Sequence, residues 1–168
     1  MCLSIFAFVY IIGTFLTPYI PDRIEKRFTL IVSCFLMGVC LFFVGPSKLF
    51  GLEESLTLMI IGLFLTANFL APTVIPVLPE ILAAVEEKVD KSEMQKAGDY
   101  SGALLNTALG LGQVLGPLMG ATFYAHWGFR TTEDIIALLC ITLSILYFTF
   151  AGGYTAFKQT FRGKAAVD

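Results

Sequence analysis

The chain has 168 residues, 57% of them hydrophobic and only 14% charged, with a mean hydropathy of +0.80. Soluble domains average about 45–50% apolar and about 25% charged residues, so this composition excludes a water-soluble globule and predicts an integral membrane protein. The net charge of -2 comes with no basic block, which excludes a nucleic-acid partner.

The first apolar run, 3–20, is about the ~20 residues that a bilayer requires. No basic residue precedes it and no small-residue cleavage site follows it, so it reads as a span and not as a signal peptide. A charged turn at 21–27 follows, Asp22-Arg23-Ile24-Glu25-Lys26-Arg27. The second span is 28–44, and Gly45-Pro46-Ser47-Lys48 opens a loop running to Glu54.

The third span covers 55–79. Pro72, Pro76 and Pro79 crowd its second half, which is predicted to be kinked or partly unwound where it faces protein or a cavity. Residues 80–99 form the longest polar stretch. Ile81, Leu82, Val85 and Val89 fall roughly on one face, which predicts a short amphipathic helix on the membrane surface.

The fourth span, 100–124, carries Ala108, Gly112, Gly116 and Gly120 at every fourth position. On a helix these form one slowly drifting stripe of small side chains, a surface that another helix can approach closely. Pro117 follows Gly116 directly and predicts a weak point there. Residues 126–130 read as a short loop. Glu133 and Asp134 then begin the fifth span, 133–152, where acidic residues favour the helix dipole. A basic tail fills 153–168.

With five alternating spans, nine of the 11 Lys and Arg residues fall on one side. Only Lys48 and Arg130 fall on the other, so the crowded side is predicted to be cytoplasmic, the C-terminus with it. The expectation is an all-α, multi-pass membrane protein, in the plasma membrane or an intracellular vesicle. An external N-terminus with five spans also predicts a C-terminal piece of a larger chain whose earlier spans lie upstream. Cys2, Cys34, Cys40 and Cys140 lie in apolar runs without C-x-x-C spacing and read as small buried hydrophobes. No metal or other cofactor is expected.

Two motifs carry a resemblance. The turn Asp22-Arg23-x-Glu25-Lys26-Arg27 is similar to the D-R-x-G-R-R signature of the major facilitator superfamily, with Glu25 in place of the glycine and Pro18 where an earlier glycine is expected. The run Gly112-x-x-x-Gly116-Pro117-x-x-Gly120 resembles that family's G-x-x-x-G-P-x-x-G-G pattern, with Ala121 at the last position. In the family the first motif joins the second and third helices of a six-helix half. The second lies in the fifth helix and is associated with antiporters. Both give one register, helices 8–12 of a twelve-helix fold. The run from Asn106 through Arg130 looks most like the drug/proton antiporter and vesicular amine or polyamine branch.

The resemblance implies transport of a small organic solute by alternating access, as a proton-coupled antiporter. Its partners would be the bilayer, the solute, protons and the N-terminal helices of the same carrier. The family's cavity-lining helices make Asn68, Asn106 and Gln113 the substrate-cavity candidates. Asp22, Arg23, Lys26 and Arg27 would form a cytoplasmic latch. Gly112, Gly116, Pro117 and Gly120 would form a sliding and bending surface. No Asp, Glu, Lys or Arg lies at mid-span, so a titrating carboxylate is expected in the upstream helices or at Asp99. A competing expectation is a truncated membrane protein or scaffold that transports nothing. An enzyme is not expected, because the single His and the lack of mid-span acids leave nothing to assemble a reactive cluster.

Overall fold

Away from water a backbone must satisfy its own hydrogen bonds, and an apolar run does so as a helix. The computed structural model describes residues 2–16, 26–86, 89–90 and 92–150. They form six helices: α1 (Cys2–Leu16), α2 (Lys26–Val44), α3 (Leu56–Val74), α4 (Val77–Glu86), α5 (Met94–Trp127) and α6 (Phe129–Phe150). No strand occurs among the described residues. Four stretches are long and apolar enough to cross a membrane: α2, the α3–α4 stretch 56–86, α5 and α6. α1 is a shorter apolar helix.

α2 is the centre of the bundle. It packs between α3 and α6, α1 lies against α3, and α5 meets chiefly α4 and α6. Lipid tails give apolar helices little reason to associate, so close packing of small residues and polar contacts must do it. Both are present. A Cβ on Gly38 would come within 2.8 Å of Ile141 and 3.1 Å of the Ala137 carbonyl, which shows how closely α2 and α6 cross. Ala67, Ala71 and Ala137 are fully buried. The Ser144 hydroxyl of α6 donates to the Ile31 carbonyl of α2 at 2.9 Å, and the Thr73 hydroxyl of α3 lies 3.1 Å from that of Ser33.

Three boundaries differ from the sequence expectation. The helix within the polar stretch 80–99 begins earlier than expected, at Val77, and ends at Glu86. It continues the third span as α4, and Met94 to Asp99 already belong to α5. The third span is interrupted only at Ile75 and Pro76, and α3 runs through Pro72. The ladder resumes because Ile75 donates to Ala71 and Glu80 donates to Pro76.

The predicted 126–130 loop is the single residue Gly128, between α5 and α6. Its φ of 78° lies in the left-handed region, which glycine reaches at no steric cost. One residue therefore turns the chain, and its N–H caps the Tyr124 carbonyl at 2.9 Å. Glu133 and Asp134 consequently stand in the second turn of α6, past the exposed N–H groups of the first.

Candidate functional site

α5 is the least covered helix of the described structure. Nearly all of its residues from Asn106 to Met119 are exposed. A Cβ added at Gly110, Gly112, Gly116 or Gly120 would meet nothing within 4 Å. The predicted stripe therefore exists as a surface, and no described residue covers it. Ala108, at its start, is exposed too.

Asn106 and Gln113 are also exposed on α5. They are seven residues apart and so lie on one side of the helix. Gln113 is three residues before Gly116 and seven before Gly120, which sets its amide at the edge of the stripe. Pro117 has no N–H, so the Gln113 carbonyl lacks its helical donor. α5 nevertheless stays helical through Pro117. One turn thus presents an amide side chain, a released carbonyl and bare glycine backbone on neighbouring faces.

Asn68 repeats half of this pattern on α3. Pro72 stands four residues after it and releases its carbonyl in the same way. Here the surroundings are occupied. The Asn68 amide donates to the Phe64 carbonyl of its own helix at 2.9 Å. Its own carbonyl faces α1, where a Cβ on Gly13 would lie 3.7 Å away. Asn68 is therefore not brought beside Asn106 or Gln113 by any described contact, and its amide already has a partner.

At one end of the bundle Arg27, in the first turn of α2, makes an ion pair through Nε with Oε1 of Glu80 on α4. Lys26 beside it is exposed. Asp22 and Arg23 lie outside the described residues. In sequence Glu80 reads as part of a solvated polar stretch, with no sign of this partner except its position, directly after Pro79 at the end of an apolar run and set apart from the acidic cluster farther along.

At the opposite end Arg130 staples the 45–55 loop. Its Nε donates to the Pro46 carbonyl at 2.6 Å, its Nη2 to the Leu52 carbonyl at 2.6 Å, and its Nη1 to Glu54 at 3.2 Å. Asp134 is 4% exposed and accepts the Lys48 N–H at 3.3 Å. Its other oxygen, Oδ1, is buried and meets no donor among the described residues. Arg130 and Asp134 are one helical turn apart on α6, which brings both to the same loop. Neither role was visible in the sequence. His126 is exposed in the last turn of α5, its Nδ1 3.0 Å from the Thr122 carbonyl.

No group of three or more His, Cys, Asp or Glu residues able to hold a metal occurs among the described residues. Cys34, Cys40 and Cys140 are free thiols, and Cys34 Sγ lies 3.7 Å from the Cys140 carbonyl.

The protein named MFS-type transporter SLC18B1 of Homo sapiens is 24% identical over 113 residues, which is 67% of this chain and 25% of the relative. The chain thus spans about a quarter of the length of that curated relative. No solved structure matches this chain. The sequence model of the Major Facilitator Superfamily matches residues 1–164, nearly the whole chain. The helical bundle and the bare Gly-Pro helix thus belong to a member of the Major Facilitator Superfamily.

Proposed function

We propose that this chain is the C-terminal part of a carrier that moves a small organic solute across a membrane by alternating access, in exchange for protons. The carrying observation is the uncovered face of α5, where the glycine stripe, Asn106 and Gln113 lie together. Carriers of this kind rock one helix bundle against another around a midplane site. A face of glycines can slide against a partner helix at little steric cost. An amide beside a released carbonyl offers that site both a donor and an acceptor.

In this reading the spans are helices 8–12 of twelve, and α5 is helix 11. Asn68, Asn106 and Gln113 contribute to the solute cavity, the two α5 amides most directly. Proton exchange rests on the similarity of Gly112-x-x-x-Gly116-Pro117-x-x-Gly120 to the antiporter pattern. The turn holding Asp22, Arg23 and Lys26, together with the Arg27–Glu80 pair, acts as a latch at the cytoplasmic end. Breaking such a pair in one state and forming it in the other biases the two arrangements.

The test uses the full-length carrier in proteoliposomes with an imposed proton gradient, supplied with radiolabelled monoamines and polyamines. Uptake that collapses with the gradient supports the proposal. Uptake indifferent to the gradient contradicts proton exchange. The absence of uptake across the panel favours the scaffold reading.

A further inference from the structure

Phe50 lies edge-on to Phe42, with ring centroids 5.3 Å apart and planes at 83°. Phe42 belongs to α2, two residues before that helix ends at Val44. With 19 residues α2 is about 28 Å long, close to the ~30 Å hydrocarbon thickness of a bilayer. The turn that follows α2 therefore folds back alongside the end of that helix.

Leu49 and Phe50 are the two central residues of this turn. The Gly51 N–H closes it on the Lys48 carbonyl at 3.2 Å, with Gly51 at a φ of 62°. Both side chains are bare, Leu49 at 66% and Phe50 at 67% exposure. The backbone around them is well provided for. Ser47 N–H reaches the Phe42 carbonyl, Leu49 N–H the Ser47 hydroxyl, and Leu52 N–H the Ser47 carbonyl. Lys48 N–H reaches Asp134, and Arg130 holds the carbonyls of Pro46 and Leu52 on either side. Irregular backbone survives near lipid only when its polar groups are met in this way.

We propose that the Lys48–Gly51 turn is a membrane-interface anchor, with Leu49 and Phe50 inserted at the boundary between headgroups and acyl chains of the phospholipid bilayer. Lys48, exposed beside them, keeps its ammonium among the headgroups while its stem lies along the apolar layer. Arg130 and Asp134 fix the turn so that its two apolar side chains cannot withdraw. At the same end of the bundle Phe129 adjoins Arg130, which holds the loop, and Tyr124 and Trp127 lie in the last turn of α5; all three are exposed. Aromatic residues concentrate at this depth in membrane proteins. The anchor gives the α2–α3–α6 unit a fixed depth in the bilayer, whichever side of the membrane this end faces.

The test places a fluorescent ring in the turn. Trp127 is the sole tryptophan, so Phe50→Trp in a Trp127→Phe background reports one position. The 168-residue chain is reconstituted in phosphatidylcholine vesicles brominated either near the headgroup or near the chain ends. The expected result is stronger quenching by shallow bromines than by deep ones, as for side chains buried at the headgroup/acyl boundary, and little quenching by aqueous iodide. Strong iodide quenching without bromine quenching would overturn the proposal, because the ring would then face water. Stronger quenching by deep bromines would overturn it as well, because the turn would then lie within the span. Leu49→Trp in the same background gives the same readout if Phe50→Trp fails to fold.

Discussion

Gly62 on α3 faces the backbone of Val44 on α2 so closely that a Cβ there would come within 2.5 Å of the Val44 nitrogen and 2.7 Å of the Phe43 carbonyl carbon. Both obstructing atoms are main chain and cannot rotate aside. The two helices must separate to admit even a methyl group. Gly62→Ala is therefore expected to destabilise the bundle by about 1–3 kcal/mol, within the usual range for overpacking. The check is the fraction of folded protein recovered from detergent after heating. Gly112→Ala, whose Cβ enters open space, is the matched control and should leave that fraction unchanged.

The Arg27–Glu80 pair joins the first turn of α2 to α4 across 53 positions of sequence. The Arg27 side chain is 39% exposed, so solvent screens the pair and the coupling is expected to be no more than about 1 kcal/mol. Its larger effect should fall on the transport cycle. Arg27→Glu and Glu80→Arg are each expected to slow uptake by the full-length carrier, and the double exchange should recover part of the rate. A double-mutant cycle in uptake rate measures this. Additive losses with no recovery would show that the pair does not couple.

Arg130 meets the 45–55 loop at three acceptors, two of them backbone carbonyls. A guanidinium fork can hold all three, whereas an ammonium is a compact point charge. Arg130→Lys is therefore expected to fail as a replacement almost as completely as Arg130→Ala. Hydrogen exchange across residues 45–55 should rise at least about tenfold in both variants, the equivalent of about 1.4 kcal/mol lost from local opening. Exchange elsewhere in α2 and α3 should be unchanged. If the lysine variant exchanges like the native protein, the fork is not what holds the loop.

Much of the fold was legible in the sequence, because lipid permits so few backbone solutions. Long apolar runs broken by Gly45-Pro46 and Gly128 form helices, while their ends depend on packing and turn geometry: α5 begins at Met94 and α6 at Phe129. The glycine stripe lies on one continuous helix, α5, with open space at Gly112, Gly116 and Gly120. Its cover was not legible, since no described part of the chain touches Gly112 or Gly116. The closely packed glycines, Gly38 and Gly62, carry no signal in the sequence because neither belongs to a repeat. Their importance comes from which helix lies opposite, which is a tertiary property. The polar stretch after Pro79 misled for a related reason. Glu80 has the composition of a solvated segment, yet it stands in the first turn of α4 facing Arg27. In sequence Asp134 reads as a helix-dipole residue, because residues 126–130 predict a longer α5–α6 turn. A one-residue turn moved it into the second turn of α6, within reach of Lys48.

The central claim is that the bare face of α5 is a working contact with the rest of the carrier. Uptake by Gly116→Leu in the full-length carrier tests it most directly, measured in proteoliposomes against the native protein at matched reconstitution. The open space around Gly116 predicts normal folding of this bundle, seen as an unchanged gel-filtration profile and heat tolerance, with uptake abolished. Native uptake from well-folded Gly116→Leu protein would contradict the account.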